Sequence, residues 1–140
     1  MEYRKSGSHY VVRIDRGEEV LDKLTEFCRQ ENIFSAGLYG IGATDRVIIG
    51  LYSVANKQYH KTELLGEMEI TSLIGNISMK DNAPYLHLHI NVCNQDMKVF
   101  GGHLNECHIS ATCELIVTPG GSGIDRILDP VTGLNIYQFK

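Results

Sequence analysis

The 140-residue sequence predicts one strand-rich α+β domain, with about seven or eight mostly antiparallel strands and one main helix. Three observations lead there. Leu86 to Cys93 alternates strictly: Leu86, Leu88, Ile90 and Val92 point one way, and His87, His89, Asn91 and Cys93 the other. Short apolar runs recur along the rest of the chain between Gly, Pro, Asn and Asp clusters, the punctuation of strands and turns. Helical spacing occurs in one stretch, Gly17 to Glu31, where Val20, Leu21, Leu24, Phe27 and Cys28 make a single apolar face.

Taken in order, Tyr10 to Asp15 (YVVRID) is a strand. Asp15 and Glu18 form a capping-box signature ahead of the helix, and Asn32 is its stop. Ile33 to Ala43 is apolar with glycines at 37, 40 and 42. That spacing is not G-x-G-x-x-G and no helix pattern follows, so the glycines serve bulges or close backbone packing rather than a dinucleotide. Arg46 to Ala55 is a strand, Asn56-Lys57 a turn, and Gln58 to Leu65 a polar strand or irregular link. Gly66 to Lys80 is a strand bulged at Gly75, and Asp81-Asn82-Ala83-Pro84 turns into the alternating segment. Asn94-Gln95-Asp96 turns again, Met97 to Phe100 returns, and Glu106-Cys107 is a further tight turn. Pro119 to Gly123 is a loop; Ile124 to Leu128 and Leu134 to Phe139 close the chain around the turn Asp129 to Gly133. No repeat, low-complexity tract or linker divides residues 1–140.

Net charge is −4 and the basic residues are scattered, so the stripe that neutralises phosphates in an autonomous nucleic-acid binder is missing. No apolar run approaches a membrane span, and MEYRKSGSHY lacks the apolar core of a signal peptide. Cys28, Cys93, Cys107 and Cys113 show no C-x-x-C spacing and read as reduced thiols of a cytoplasmic protein.

The chemistry concentrates between Pro84 and Thr118, which holds four of the six histidines. His87 and His89, at i and i+2 on one strand, have Cα atoms roughly 6.6 Å apart, close enough to share a metal. A loop centred on Gln95 puts His87 opposite His103, so three imidazoles lie on one side of a hairpin. That set suits Zn(II), Fe(II), Ni(II) or Cu(II), and three protein ligands with an open position is the catalytic rather than the structural pattern. With Glu106-Cys107 as a turn, His103 pairs with Ser110, and Ser110, Thr112 and Glu114 share the imidazole side. Ile109, Ala111, Cys113, Leu115 and Val117 take the core side. Glu114 then sits roughly 10 Å from Asn91, too far to be a ligand from the same chain.

GEMEITSLIGNIS, PYLHLHINV and FGGHLNECHISATCELIV, together with the helix after YVVRIDRGE, AGLYGIGA and the closing TGLNIYQF, resemble the plants and prokaryotes conserved (PPC) domain over nearly the whole chain. The resemblance implies a homotrimer with a metal, usually zinc, on the histidines matching His87, His89 and His103. It also implies kinship with acetolactate decarboxylase, whose metal is likewise held by H-x-H and a later histidine. Plant members carry AT-hooks in nuclear proteins; the stand-alone prokaryotic type bears a provisional DNA-binding label. Two departures stand out: Cys107 occupies a position where the family usually has glycine, and there is no AT-hook. Three functions follow. One is a trimeric zinc-binding domain with an assembly or regulatory role, possible DNA or transcription-related partners included. The second is a small metal-dependent hydrolase or decarboxylase, its acid or base drawn from Ser110, Thr112 or a neighbouring subunit's Glu114. The third, autonomous DNA binding, is disfavoured by the charge.

Overall fold

Alternation along the chain builds eight strands and one helix; the structure, a computed structural model, describes residues 1–139. The strands are β1 (Glu2–Ser6), β2 (His9–Asp15), β3 (Ala36–Ser53), β4 (Gln58–Lys80), β5 (Ala83–Asn94), β6 (Val99–Pro119), β7 (Asp125–Leu128) and β8 (Asn135–Gln138), and the helix is α1 (Val20–Gln30). β1 is the one element that the sequence pattern does not announce. Its residues EYRKS are exposed at four of five positions, so no apolar stripe marks it.

Pairing is antiparallel except for one bridge between Met79 and Asp125. β3 pairs with β4, β4 with β5, β5 with β6, and β6 again with β3, a closed circuit in which each of the four strands is paired on both sides over part of its length. On β6, residues 99–103 pair with β5 and residues 112–117 with β2. The stretch between them pairs with the segment before α1: Gly17 N–H donates to the Ile109 carbonyl at 2.7 Å, and Ile109 N–H to that of Glu18 at 3.0 Å. Those two bonds are why the helix starts at Val20 and not at Gly17. Glu19 is its N-cap, accepting from Asp22 N–H at 2.7 Å, while Glu18 turns back to Asp15 N–H at 2.8 Å. Asn32 ends it in the left-handed region at φ 54°, with Ile33 N–H donating to the Cys28 carbonyl.

Val20, Leu24, Phe27 and Cys28 of α1 pack with Val12 and Ile14, Ile70, Leu73 and Ile77, Leu88, Ile90 and Val92, and Ile109, Leu115 and Val117 in one buried core. The apolar side of the alternating segment is therefore the inner side of the circuit.

Four expectations about the strands are corrected. β3 and β4 are each continuous, 18 and 23 residues long, where the sequence pattern suggested two pieces apiece. Gly75 is not a bulge. It pairs in register with both Leu38 and Leu88, and an added Cβ would run into the His87 carbonyl; the extra residue of β4 falls between Ile70 and Ser72. Glu106-Cys107 is not a turn. β6 runs through it beside β3, with Ile48 opposite Glu106 and Val47 opposite Cys107, and Cys107 N–H donates to Glu19 Oε1 at 2.9 Å. Ala111 is exposed rather than buried, because the β3–β6 register slips between Gly42 and Thr44 and turns it outward.

Candidate metal centre

His87 and His89 stand on the outer side of β5, each beside a buried core residue, Leu88 and Ile90. The turn after β5 decides where the third histidine lands. Asn94 Oδ1 accepts from Asp96 N–H at 3.1 Å and Lys98 N–H at 3.0 Å, and Met97 takes φ 59°. This three-residue loop is centred on Asp96, so His103 lies opposite His89 and not opposite His87. The error is two residues, an even slip, and it leaves every side chain on its original side.

The rings therefore still converge. Their centroids are 5.5 Å apart for His87 and His89, 5.2 Å for His87 and His103, and 5.5 Å for His89 and His103. One nitrogen from each lies within 4.8 Å of the others. Four-coordinate zinc at about 2.0–2.1 Å holds its nitrogens roughly 3.3 Å apart, so closure asks for an inward shift of about 1.5 Å or less. Among the described residues, imidazole hydrogen bonds to protein groups belong to His108, which meets Glu106 at 2.8 Å and Arg46 at 3.1 Å. The nitrogens of the three converging rings are thus free for an ion.

The surroundings favour neutral, ligating imidazoles. Burial first, then the neighbouring His87, His89 and Lys61, push the pKa of His103 down to about 4. Burial, followed by the charge of Arg126 and then His89, also lowers that of His87. His103 is held by a close passage of backbones. β6 runs against β3 at Gly102 and Gly50, where an added Cβ on Gly102 would sit 2.8 Å from the Gly50 carbonyl oxygen. Tyr59 packs edge-on to His103 at 6.0 Å, in space that a side chain on Gly50 would fill.

Above the rings opens a pocket of about 970 Å³. Its walls include Tyr52, Tyr59, Tyr85 and Tyr137, with Leu51, Leu134 and Ile136, and its polar groups include Asn76, Asn135 and Arg126. Among the described residues, no Asp or Glu lines it. Arg126 had no signal in the sequence as a site residue; the hairpin β7–β8 carries it over the site. Ser110, Thr112 and Glu114, candidates from sequence, are not brought there. His103 does not pair with Ser110; the strand continues, placing Ser110 seven residues further along β6, roughly 23 Å at full extension. All three line other depressions of the surface.

The model of the Plants and Prokaryotes Conserved (PCC) domain matches residues 1–120. The chain belongs to this family. Among solved structures, a "putative DNA binding protein" from Bacteroides thetaiotaomicron VPI-5482 is 35% identical, with a TM-score of 0.96 over 99% of this chain and 96% of that one. A metal-containing protein from Archaeoglobus fulgidus is also 35% identical, with a TM-score of 0.89 over 99% of this chain and 97% of that one. α-Acetolactate decarboxylase from Bacillus subtilis shares the fold at 9% identity, with a TM-score of 0.53 over 79% of this chain and 52% of that enzyme. No curated protein shows significant similarity to this PCC chain. The matched stretch ends before β7, so the wall carrying Arg126 lies outside it.

Proposed function

We propose that this PCC domain is a metal-binding module in which His87, His89 and His103 hold one divalent transition metal, zinc, and that its role is assembly or regulation beside DNA-associated partners. The observation that carries the reading is three imidazoles within 4.8 Å of one another, without competing hydrogen bonds and facing a pocket. The Archaeoglobus relative, described as metal-containing, supports it. Bound zinc would supply a Lewis acid and lower the pKa of a coordinated water toward about 7.

Self-association as a homotrimer has support on the outer face. Val11, Ile116, Tyr39 and Ile74 are cross-strand neighbours in one row, and Val11, Tyr39 and Ile74 are 45%, 60% and 57% exposed. Contiguous apolar surface of this kind marks an interface. DNA association is proposed through partners, since the chain carries net charge −4. A cytoplasmic setting agrees with four free cysteines, three of them buried; among the described residues no helix is long and apolar enough to cross a membrane.

A second reading, a small metal-dependent enzyme, is favoured by the volume of the pocket over the rings, about 970 Å³. Against it, no described residue of the lining supplies a carboxylate to act as general acid or base. Elemental analysis of protein purified without chelator tests the first reading: one zinc per chain is expected, lost in His89→Ala. Full occupancy in that variant overturns the ligand set. Light scattering checks the trimer, which requires three times the 15.7 kDa chain mass.

A further inference from the structure

Among the described residues, Arg126 is the one formally charged residue in the lining of the pocket over the three imidazoles. Its guanidinium carbon lies 4.7 Å from the ring centroid of Tyr85 and 4.4 Å from that of Tyr137, so two aromatic rings hold the cation. Nε donates to Ser78 Oγ, Nη1 to the Asn135 carbonyl and Nη2 to Asn76 Oδ1, each at 2.7 Å. A guanidinium has five N–H donors, so these three bonds leave two unused. All three acceptors are neutral. The ion pairs among the described residues involve the N-terminal amine, Arg13, Lys23, Arg46, Lys80 and His108, and none reaches Arg126.

A half-buried cation, fixed in one orientation and left without a counter-charge, is a costly arrangement for a residue that only pins a hairpin. The three neutral acceptors use the donor fork but give the charge itself no partner among the described residues. Arg126 lines the same pocket as His87, His89 and His103, which places the guanidinium over the ligand set. A metal ion on the histidines would add positive charge to a pocket in which no described residue is an acid to balance it.

We propose that Arg126 is the anion-recognising group of this pocket, and that its ligand is a small organic carboxylate shared between the guanidinium and the metal ion. The assignment rests on the metal-binding reading above for the second contact and on Arg126 alone for the first. Two free N–H groups on a planar fork match the two oxygens of a carboxylate. Leu51, Leu134, Ile136 and the tyrosines give a hydrocarbon body somewhere to lie, which inorganic phosphate does not need.

Calorimetric titration of sodium butyrate into the zinc-loaded protein tests this. Butyrate is expected to bind at millimolar concentration and butyramide is not. Arg126→Gln should weaken butyrate binding roughly 10- to 100-fold, with Arg126→Lys recovering part of the loss. Ser78→Ala removes one pin of the hairpin and keeps the cation, so its affinity should stay within about twofold of the parent. If Arg126→Gln fails to fold, Arg126→Lys against Ser78→Ala carries the comparison. An equal loss in Ser78→Ala and the Arg126 variants shows a scaffolding role and overturns the proposal, as does absence of butyrate binding to the zinc-loaded parent. Tenfold tighter binding of inorganic phosphate overturns the carboxylate assignment. If the protein takes up no zinc, the metal reading fails by itself, and the metal-free protein decides this one. Butyrate binding that Arg126→Gln abolishes then sustains the guanidinium contact, and no binding overturns it.

Discussion

Gly102→Ala tests whether the close approach of β6 to β3 is what sets the third imidazole. The added methyl would meet the Gly50 carbonyl oxygen at 2.8 Å, the Gly50 nitrogen at 3.5 Å and Ile49 Cβ at 3.5 Å. The short contact is to backbone, so no rotamer change relieves it, and restoring ordinary contact near 3.4 Å requires the strands to part by about 0.6 Å. Gly→Ala at an unstrained strand position ordinarily stabilises by about 0.4–1 kcal/mol through the unfolded chain. Overpacking against backbone costs about 1–3 kcal/mol, so the net at Gly102 is destabilising by about 1–2 kcal/mol. For a chain of this size the melting temperature should fall by about 3–8 °C. Gly37→Ala is the control: a methyl added there would have nothing within 4 Å and its φ is not positive, so its melting temperature should hold or rise. His103 is the next residue, and metal sites tolerate errors of about ±0.2 Å, so zinc affinity measured against a competing chelator should drop roughly tenfold or more in Gly102→Ala. Unchanged zinc affinity together with an unchanged melting temperature would refute the claim that this contact positions the ring.

Three further outcomes follow. The hydroxyl of Tyr10, then that of Tyr3, donates to Glu31 and lowers its carboxyl pKa, so this contribution to stability is present above the unfolded value of about 4.3 and is lost as pH falls through the folded value. Tyr10→Phe should therefore flatten the acid limb of a denaturation series run between about pH 3 and pH 6; a limb as steep as the parent's would count against the linkage. Burial pushes the thiols of Cys28 and Cys113 up to about 12 and that of Cys107 to about 11, so a thiol reagent under native conditions should modify the half-exposed Cys93 and reach the others only on unfolding. Leu88, fully buried beneath the His87–His89 pair, should cost about 2–5 kcal/mol as Leu88→Ala in urea denaturation, and a loss below about 1 kcal/mol would show that this segment does not anchor the core.

Much of this architecture is written locally. The alternation from Leu86 to Cys93 settles which side of β5 is buried and places His87 and His89 together, because side-chain direction along a strand depends only on parity. The helical face from Val20 to Cys28, the Asn32 stop, the Asp81-Asn82 turn (φ 52° and 62°) and the closing hairpin are legible for the same reason, since each rests on residues within a few positions. What the chain cannot state locally is which strand lies beside which. Whether His87 or His89 opposes His103 depended on the loop being centred one residue further along, on Asp96, where Asn94 holds it. Whether Glu106-Cys107 turned or continued depended on β3 lying alongside. Arg126, distant in sequence from every histidine and outside any periodic pattern, reaches the pocket because the last hairpin folds back over β3 and β4, bridged from Met79 to Asp125 and tied at its turn by Tyr52 and Lys57. Parity is a property of the backbone, so sequence alone determined that three imidazoles could share a side; distance is a property of pairing, so only the closed circuit of β3 to β6 decided that they meet, and that a cation waits above them.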